Sequence, residues 1–325
     1  MYEVPQQAGR RFVVTGANSG TGRETALRLA RAGASVVLGV RSPEKGESAR
    51  ASILREVPGA DLEVRRIDLA DLSSVAAFAA GLVADGRPVD TLVNNAGVMA
   101  PPRRMETADG FELQFGTNFL GPFALTNLLI PLLLESPSPR VATMSSAVSH
   151  IGKVRFGDLH WERGYRPMLA YAQSKLGNLL MAVRLAEAAA AQGSPLMSTL
   201  AHPGYTRTNL QTAGASLGRD RPRRSLPVEW GGLRAQNVET GAEPLLFAAA
   251  DPGAAQGAYY GPSGPLGIAG PTRQTDLPRS ARGATLAGSL WAVAEDLTGT
   301  RLPPLTPRTA TGHPAPATAP ATDAR

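Results

Sequence analysis

The chain contains no cysteine, which excludes a disulfide framework and any thiolate metal site. Lysine is almost missing too: Lys45, Lys153 and Lys175 are the whole set, so the net charge of +6 rests on arginine. Those arginines are scattered. Only Arg221 to Arg224 approaches a basic cluster, and no aromatic side chains are interleaved there, which argues against a nucleic-acid partner. Long apolar runs are lacking as well. Met1 to Arg11 has no apolar signal core, and the longest run, Phe123 to Leu134, is broken by Asn127 and Pro131. These absences predict a cytoplasmic protein without a membrane anchor. There is no internal repeat.

What is present is ample apolar material, 43% of 325 residues, enough for one large α/β domain with its own core. The short apolar run Arg11 to Thr15 breaks into Gly16-Ala17-Asn18-Ser19-Gly20-Thr21-Gly22 and then enters a helical pattern through Arg31. That order predicts strand, glycine turn and helix. The glycines let backbone approach a diphosphate closely, and the free N–H groups at the helix start attract the anion, so the turn is read as dinucleotide-binding. Its spacing is not the G-x-G-x-x-G of two-domain dehydrogenases. A second apolar run, Ser35 to Val40, ends at Arg41, where a dinucleotide fold inspects the adenine ribose. An acid there would bind ribose hydroxyls; the guanidinium fork suits a 2′-phosphate, which favours NADP(H) and leaves NAD(H) open.

Leu62 to Ile67 is a third strand running into Asp68-Leu69. Asp68 is placed either to accept from the adenine amine or to cap the helix beginning near Asp71. Asp90 to Val93 follows as a strand ending in Asn94-Asn95-Ala96-Gly97, small and amide residues that permit close cofactor packing. A long helix is expected over Asp109 to Leu134, with Asn118 inside it. A mid-helix asparagine is unhelpful, since its amide competes for backbone groups, so it faces water or serves a site. Arg140 to Met144 delivers Ser145-Ser146 at a strand's carboxyl end. Tyr171 and Lys175 open a helical run to about Gln192. Positions four apart share a helix face with Cβ atoms roughly 5–6 Å apart, so the ammonium is expected to lower the phenol's pKa from its reference of about 10. Alone, that pair is an ordinary helix.

In this order, Thr15 to Gly22, Asn94 to Gly97, Asn118, Ser146, Tyr171-x-x-x-Lys175 and Pro203-Gly204 resemble the single-domain short-chain dehydrogenase/reductase family, over about residues 10–300. Ser146-Ala-Val-Ser-His150-Ile-Gly-Lys, the long interval to Tyr171 and His202-Pro-Gly look like the retinol dehydrogenase and protochlorophyllide reductase neighbourhood. Tyr259-Tyr-Gly-Pro-Ser263-Gly and Trp291-x-x-x-Glu295 look like its bacterial members. The resemblance implies a Rossmann-like, doubly wound α/β fold with a mainly parallel sheet of about seven strands. It implies hydride transfer between NADP(H) and a carbonyl or alcohol, with an apolar small-molecule substrate and a possible homo-oligomer. Tyr171 would donate the proton, Lys175 would activate it and bind the nicotinamide ribose, and Ser146, chosen over Ser145, would hold the substrate oxygen. Asn118 would place a relay water. Cofactor contacts would come from Gly16, Asn18, Ser19, Gly20, Thr21, Gly22, Arg41, Asp68, Leu69, Asn95, Ala96, Gly97, Tyr171, Lys175, Pro203, Gly204 and Thr208.

Thr21 departs from the usual isoleucine, a small packing change, and the membrane-anchoring segment of animal retinol enzymes is not found. His202 has no second ligand at metal spacing and is read as a packing residue; no metal is expected. Residues 1–9 form an extension, 10–300 the domain with a substrate flap at about 209–238, and 301–325 a Pro/Thr/Ala-rich tail expected to be disordered, removable after Pro303. Two other classes use related motifs: a nucleotide-sensing regulator without catalysis, and an epimerase or dehydratase of the extended branch. The complete Tyr/Lys/Ser set argues against the first. The glycine spacing Gly16-x-x-x-Gly20-x-Gly22 argues against the second.

Overall fold

A computed structural model of the chain describes residues 2–207, 210, 217 and 235–306. Strand and helix alternate from the start: β1 (Arg11–Thr15), α1 (Gly20–Arg31), β2 (Ser35–Val40), α2 (Pro43–Glu56), β3 (Leu62–Arg66), α3 (Leu72–Ala84) and β4 (Thr91–Asn94). Next come the short turn α4 (Leu113–Phe115), a π-helical segment (Gly116–Leu120), α5 (Gly121–Leu133), β5 (Arg140–Met144) and a 3-10 turn (Ala147–Ile151). The chain continues through α6 (Pro167–Ala191), β6 (Met197–Ala201), α7 (Val238–Ala250), β7 (Tyr259–Pro262), β8 (Thr272–Thr275) and α8 (Ala284–Thr298). Alternation of this kind demands crossovers, and the sheet has the order β3-β2-β1-β4-β5-β6-β7-β8, parallel throughout except for the antiparallel pair β7/β8.

Among the described residues the sheet therefore has eight strands where about seven were expected. β8 escaped notice because Thr272-Arg273-Gln274-Thr275 is a polar, half-exposed edge strand without an apolar alternation. The inner strands are apolar on both sides, as strands covered by helices on both faces must be. One core, around Val14, Leu29, Leu38, Ile53 and Leu245, lies under α1, α2 and α7; the other, around Leu92, Phe119, Leu125, Leu179 and Leu290, lies under α3, α5, α6 and α8. The winding direction reverses between β1 and β4, so the chain opens a crevice at the carboxyl ends of these strands.

The helix expected over residues 109–134 is broken. Glu106 and Glu112 pair as an isolated bridge, and the helical ladder widens into the π segment at Gly116–Leu120, which carries Asn118. Such bulges splay one turn and re-aim its side chains. The stretch Leu113–Leu133 is long and apolar enough to cross a membrane, but 89% of its most apolar window is buried inside the molecule. Both ends of the described chain are docked. Tyr2 packs on Phe247 and donates from its hydroxyl to Asp251 at 2.9 Å. At the other end Leu305 is fully buried; its amide donates to Gln192 Oε1 at 3.0 Å and its carbonyl accepts from the Ser194 hydroxyl. Leu305, inside the tail expected from residue 301, is thus clasped to the body.

Candidate active site

The first turn of the crevice is built by β1 and α1. Gly16 and Gly20 adopt φ of +70° and +55°, where an L side chain would be strained. A Cβ on Gly22 would stand 2.4 Å from the Gly16 carbonyl oxygen, so the helix can start this close to the strand only with glycine. Ser19 is the N-cap of α1 but its side chain makes no capping bond, and the first turn has no acid, leaving its N–H groups and positive dipole end to an anion. Asn18 sits half-buried in this turn. Thr21 does more than fill space: its hydroxyl donates to Asn95 Oδ1 at 2.9 Å. Asn95 in turn donates from Nδ2 to the Thr15 carbonyl at 2.9 Å, and Thr15 Oγ1 accepts the amides of Asn95 and Ala96 at 3.0 and 3.1 Å. The ends of β1 and β4 are thereby stitched together.

Arg41 lies at the carboxyl end of β2, exposed, with no hydrogen bond or ion pair among the described residues. Asp68 accepts the Ala70 amide at 3.0 Å, while Asp71 caps α3 through the amides of Ser73 and Ser74, so of the two uses foreseen for Asp68 capping is taken by its neighbour. Leu69 is buried against the start of α5. Pro203 and Gly204 follow β6; the Pro203 carbonyl accepts from Thr206 Oγ1 at 2.6 Å and from Gln236 Nε2 at 3.0 Å. Thr208 and most of the flap foreseen at about 209–238 lie outside the described residues.

The chemistry-bearing side chains meet above β4 and β5. Tyr171 lies one turn inside α6, nearly fully buried, with Lys175 on the same face; Lys175 Nζ is 5.9 Å from the ring centre and donates to the Met144 carbonyl at 3.2 Å. The two serines differ in what they face. Ser145 Oγ is spent on the Lys175 carbonyl at 2.8 Å, whereas Ser146 faces the Tyr171 phenol. Successive residues of an extended chain point opposite ways, so only one of the pair can do each job.

The shift of the phenol runs opposite to the expected lowering. Burial pushes the Tyr171 phenol up to about 12, with the Ser146 hydroxyl pulling the other way, and burial pushes Lys175 down to about 8. Desolvation penalises both charged forms. In the protein alone it outweighs any lowering of the phenol by Lys175.

Asn118, fully buried, accepts the Val98 amide on Oδ1 at 2.7 Å and donates from Nδ2 to the Val98 carbonyl and to Ser174 Oγ, each at 2.9 Å. Both amide hydrogens are therefore spent on structure. Its second Oδ1 lone pair is left near Gly97, where a Cβ would stand 3.0 Å from Oδ1 and 3.5 Å from Lys175 Nζ. Three participants were missed by sequence reasoning: Ser174, Gln114, and Asn178, which donates to the Met144 carbonyl beside Lys175 at 3.0 Å. Polar residues inside an apolar helix were the available signal.

Comparison with known proteins identifies a family. A family model described as short chain dehydrogenase matches residues 10–216. The chain is 42% identical over 254 residues, 77% of its length and 74% of that protein's, to a polyprenol dehydrogenase of Mus musculus. It is 40% identical over 243 residues, 74% of its length and 72% of that protein's, to human (Homo sapiens) retinol dehydrogenase 13. Among solved structures, an uncharacterised protein from Mycobacterium paratuberculosis superposes with a TM-score of 0.76 at 41% identity, covering 93% of this chain and 97% of that one. A short chain dehydrogenase from Shigella flexneri complexed with NADP gives 0.59 at 25% identity, covering 80% and 98%.

Proposed function

The chain belongs to the short chain dehydrogenase family and is an oxidoreductase acting on CH–OH or C=O groups, and we propose that it reduces an apolar aldehyde or ketone with NADPH. The observation that carries this reading is the group formed by buried Tyr171 and Lys175 with half-buried Ser146 at the carboxyl edge of the sheet. Tyr171 keeps its proton at neutral pH, as a donor in reduction must before it acts, and burial tightens that hold in the protein alone. Ser146 beside it holds the substrate oxygen. Lys175, pushed down to about 8, remains charged at neutral pH and steadies negative charge as the phenol gives up its proton. Asn118 and Lys175 converge on Gly97, a place for a water that would return a proton from solvent.

The glycine turn and the uncapped start of α1 fit a dinucleotide diphosphate, and the exposed Arg41 fits a 2′-phosphate. The nicotinamide supplies the hydride when bound. An apolar substrate is supported by the relatives named for polyprenol and retinol and by the exposed Ile151, Phe156 and Met168 in and around the loop between the 3-10 turn and α6.

The test is a panel of straight-chain, aromatic and isoprenoid aldehydes with NADPH or NADH, on wild type and Arg41→Asp. We expect faster reduction with NADPH, greatest for the more apolar aldehydes, and loss of the NADPH preference in Arg41→Asp. Cofactor binding without reduction of any panel member would contradict the proposal.

A further inference from the structure

Asn118 has a counterpart one turn earlier. Gln114, on α4 and fully buried, accepts the Ala100 amide on Oε1 at 2.7 Å. Its Nε2 donates to the Pro167 carbonyl and to the Tyr165 hydroxyl, each at 3.0 Å. Asn118 makes the same kind of link further along, from the Val98 backbone to Ser174. Two amides on one short segment thus tie the loop after β4 to α6 at two points, and Tyr171 lies between those points.

We propose that Gln114 is a positioning residue for the proton donor: it fixes the first turn of α6 against the loop after β4 and so sets where the Tyr171 hydroxyl stands. The inference rests on the reading of Tyr171 as the acid. The start of α6 needs such a brace. Arg166, its N-cap, makes no side-chain capping bond, and the Arg166 carbonyl is shared by the amides of Leu169 and Ala170 at 3.0 and 2.9 Å. Shared bonds of this kind are common at helix ends, and no side chain of α6 itself closes this one. In an α-helix the Pro167 carbonyl is the acceptor for the Tyr171 amide. Gln114 therefore holds the very peptide group from which Tyr171 hangs.

The other arm is also under constraint. Ala100 has φ of +49°, a conformation an alanine keeps only where its surroundings hold it. Glu112 secures the segment that carries Gln114, accepting the amides of Gln114 and Phe115 at 3.0 and 2.7 Å. The π segment follows at once and delivers Asn118, so both amides are aimed by a single local irregularity in the chain.

The experiment compares full-length wild type, Gln114→Met and Tyr171→Phe, using NADPH and whichever panel aldehyde wild type reduces fastest. Methionine keeps the length and apolar packing of glutamine and removes all three bonds. In Gln114→Met turnover at saturating aldehyde should fall roughly 10- to 100-fold, as misplacement of a reacting group does. The KM for aldehyde and the Kd for NADPH should stay within about twofold. Amide hydrogen exchange over residues 170–174 should quicken at least about tenfold with the remaining amides unchanged. In wild type those amides should exchange as slowly as mid-α6, and fast exchange there would overturn the proposal even if the variant does not fold. Unchanged turnover in Gln114→Met, where Tyr171→Phe is inactive, would also overturn it. So would a uniform loss of rate, cofactor affinity and protection across the molecule, the sign of general support for the fold. Full turnover in Tyr171→Phe would instead defeat the reading of the acid, while the exchange measurement would still report on the brace.

Discussion

His202 has almost no room: a Cβ on Gly261 would stand 1.9 Å from its Nε2, Nδ1 accepts the Gly204 amide at 3.3 Å, and its ring lies 5.0 Å from that of Tyr259. Burial pushes its pKa down to about 4, and nearby His150 adds to the shift. Between pH 6.5 and about 4 the unfolded chain therefore binds more protons at this residue than the folded one. The stability contributed by neutral His202 is present above pH 6.5 and is lost as pH falls through about 4. Comparing denaturation at pH 7 and pH 4.5, we expect His202→Asn to lose about 2 kcal/mol less than wild type does. Equal losses would place that proton uptake elsewhere. The packing role of His202 was legible in the sequence, since nothing at metal spacing accompanied it. The choice of Ser146 over Ser145 rested on a resemblance alone, because which side of a strand end faces Tyr171 depends on helix α6, far away in sequence.

Among the elements, α5 comes closest to its neighbour at Gly121, where a Cβ would stand 2.4 Å from the Leu69 carbonyl oxygen and 3.0 Å from the Leu69 Cβ. Backbone cannot step aside as a flexible side chain can. Gly121→Ala should cost about 1–3 kcal/mol by overpacking, read as a lower midpoint in urea, and an unchanged midpoint would show that the β3–α3 link yields freely. Most elements were legible from apolar runs and glycine or proline punctuation; β2 and β5 fall on the boundaries that the pattern indicates. The pattern missed what tertiary contacts decide. The π segment arises where Asn118 must reach Val98 and Ser174, and no local propensity encodes that widening. The start of α6 was placed four residues late because Pro167, a favourable first helical residue, stands in a polar, proline-containing stretch that reads as loop.

For the whole molecule, α8 and the segment after it lie across α5 and α6: Trp291 meets Phe123 at 4.7 Å between ring centres, and Leu305 closes the edge. Composition marked the tail as dispensable from Pro303. A buried leucine is worth about 1.5–3 kcal/mol, so ending the chain at Pro303 should lower stability by that order, whereas ending it at Thr306 keeps the clasp. Melting of the two truncations checks this, and equal melting temperatures would mean Leu305 contributes nothing. Tyr171 is the proposed proton donor, in a site gathered at the carboxyl ends of the strands and on α6. Single-turnover reduction by wild type and Tyr171→Phe, with NADPH titrated separately, tests it most directly. Phenylalanine keeps the ring and its packing, so NADPH affinity should change little while the hydride-transfer rate falls by about 10²–10⁴-fold. A Tyr171→Phe enzyme that reduces its aldehyde at the wild-type rate would contradict the mechanism.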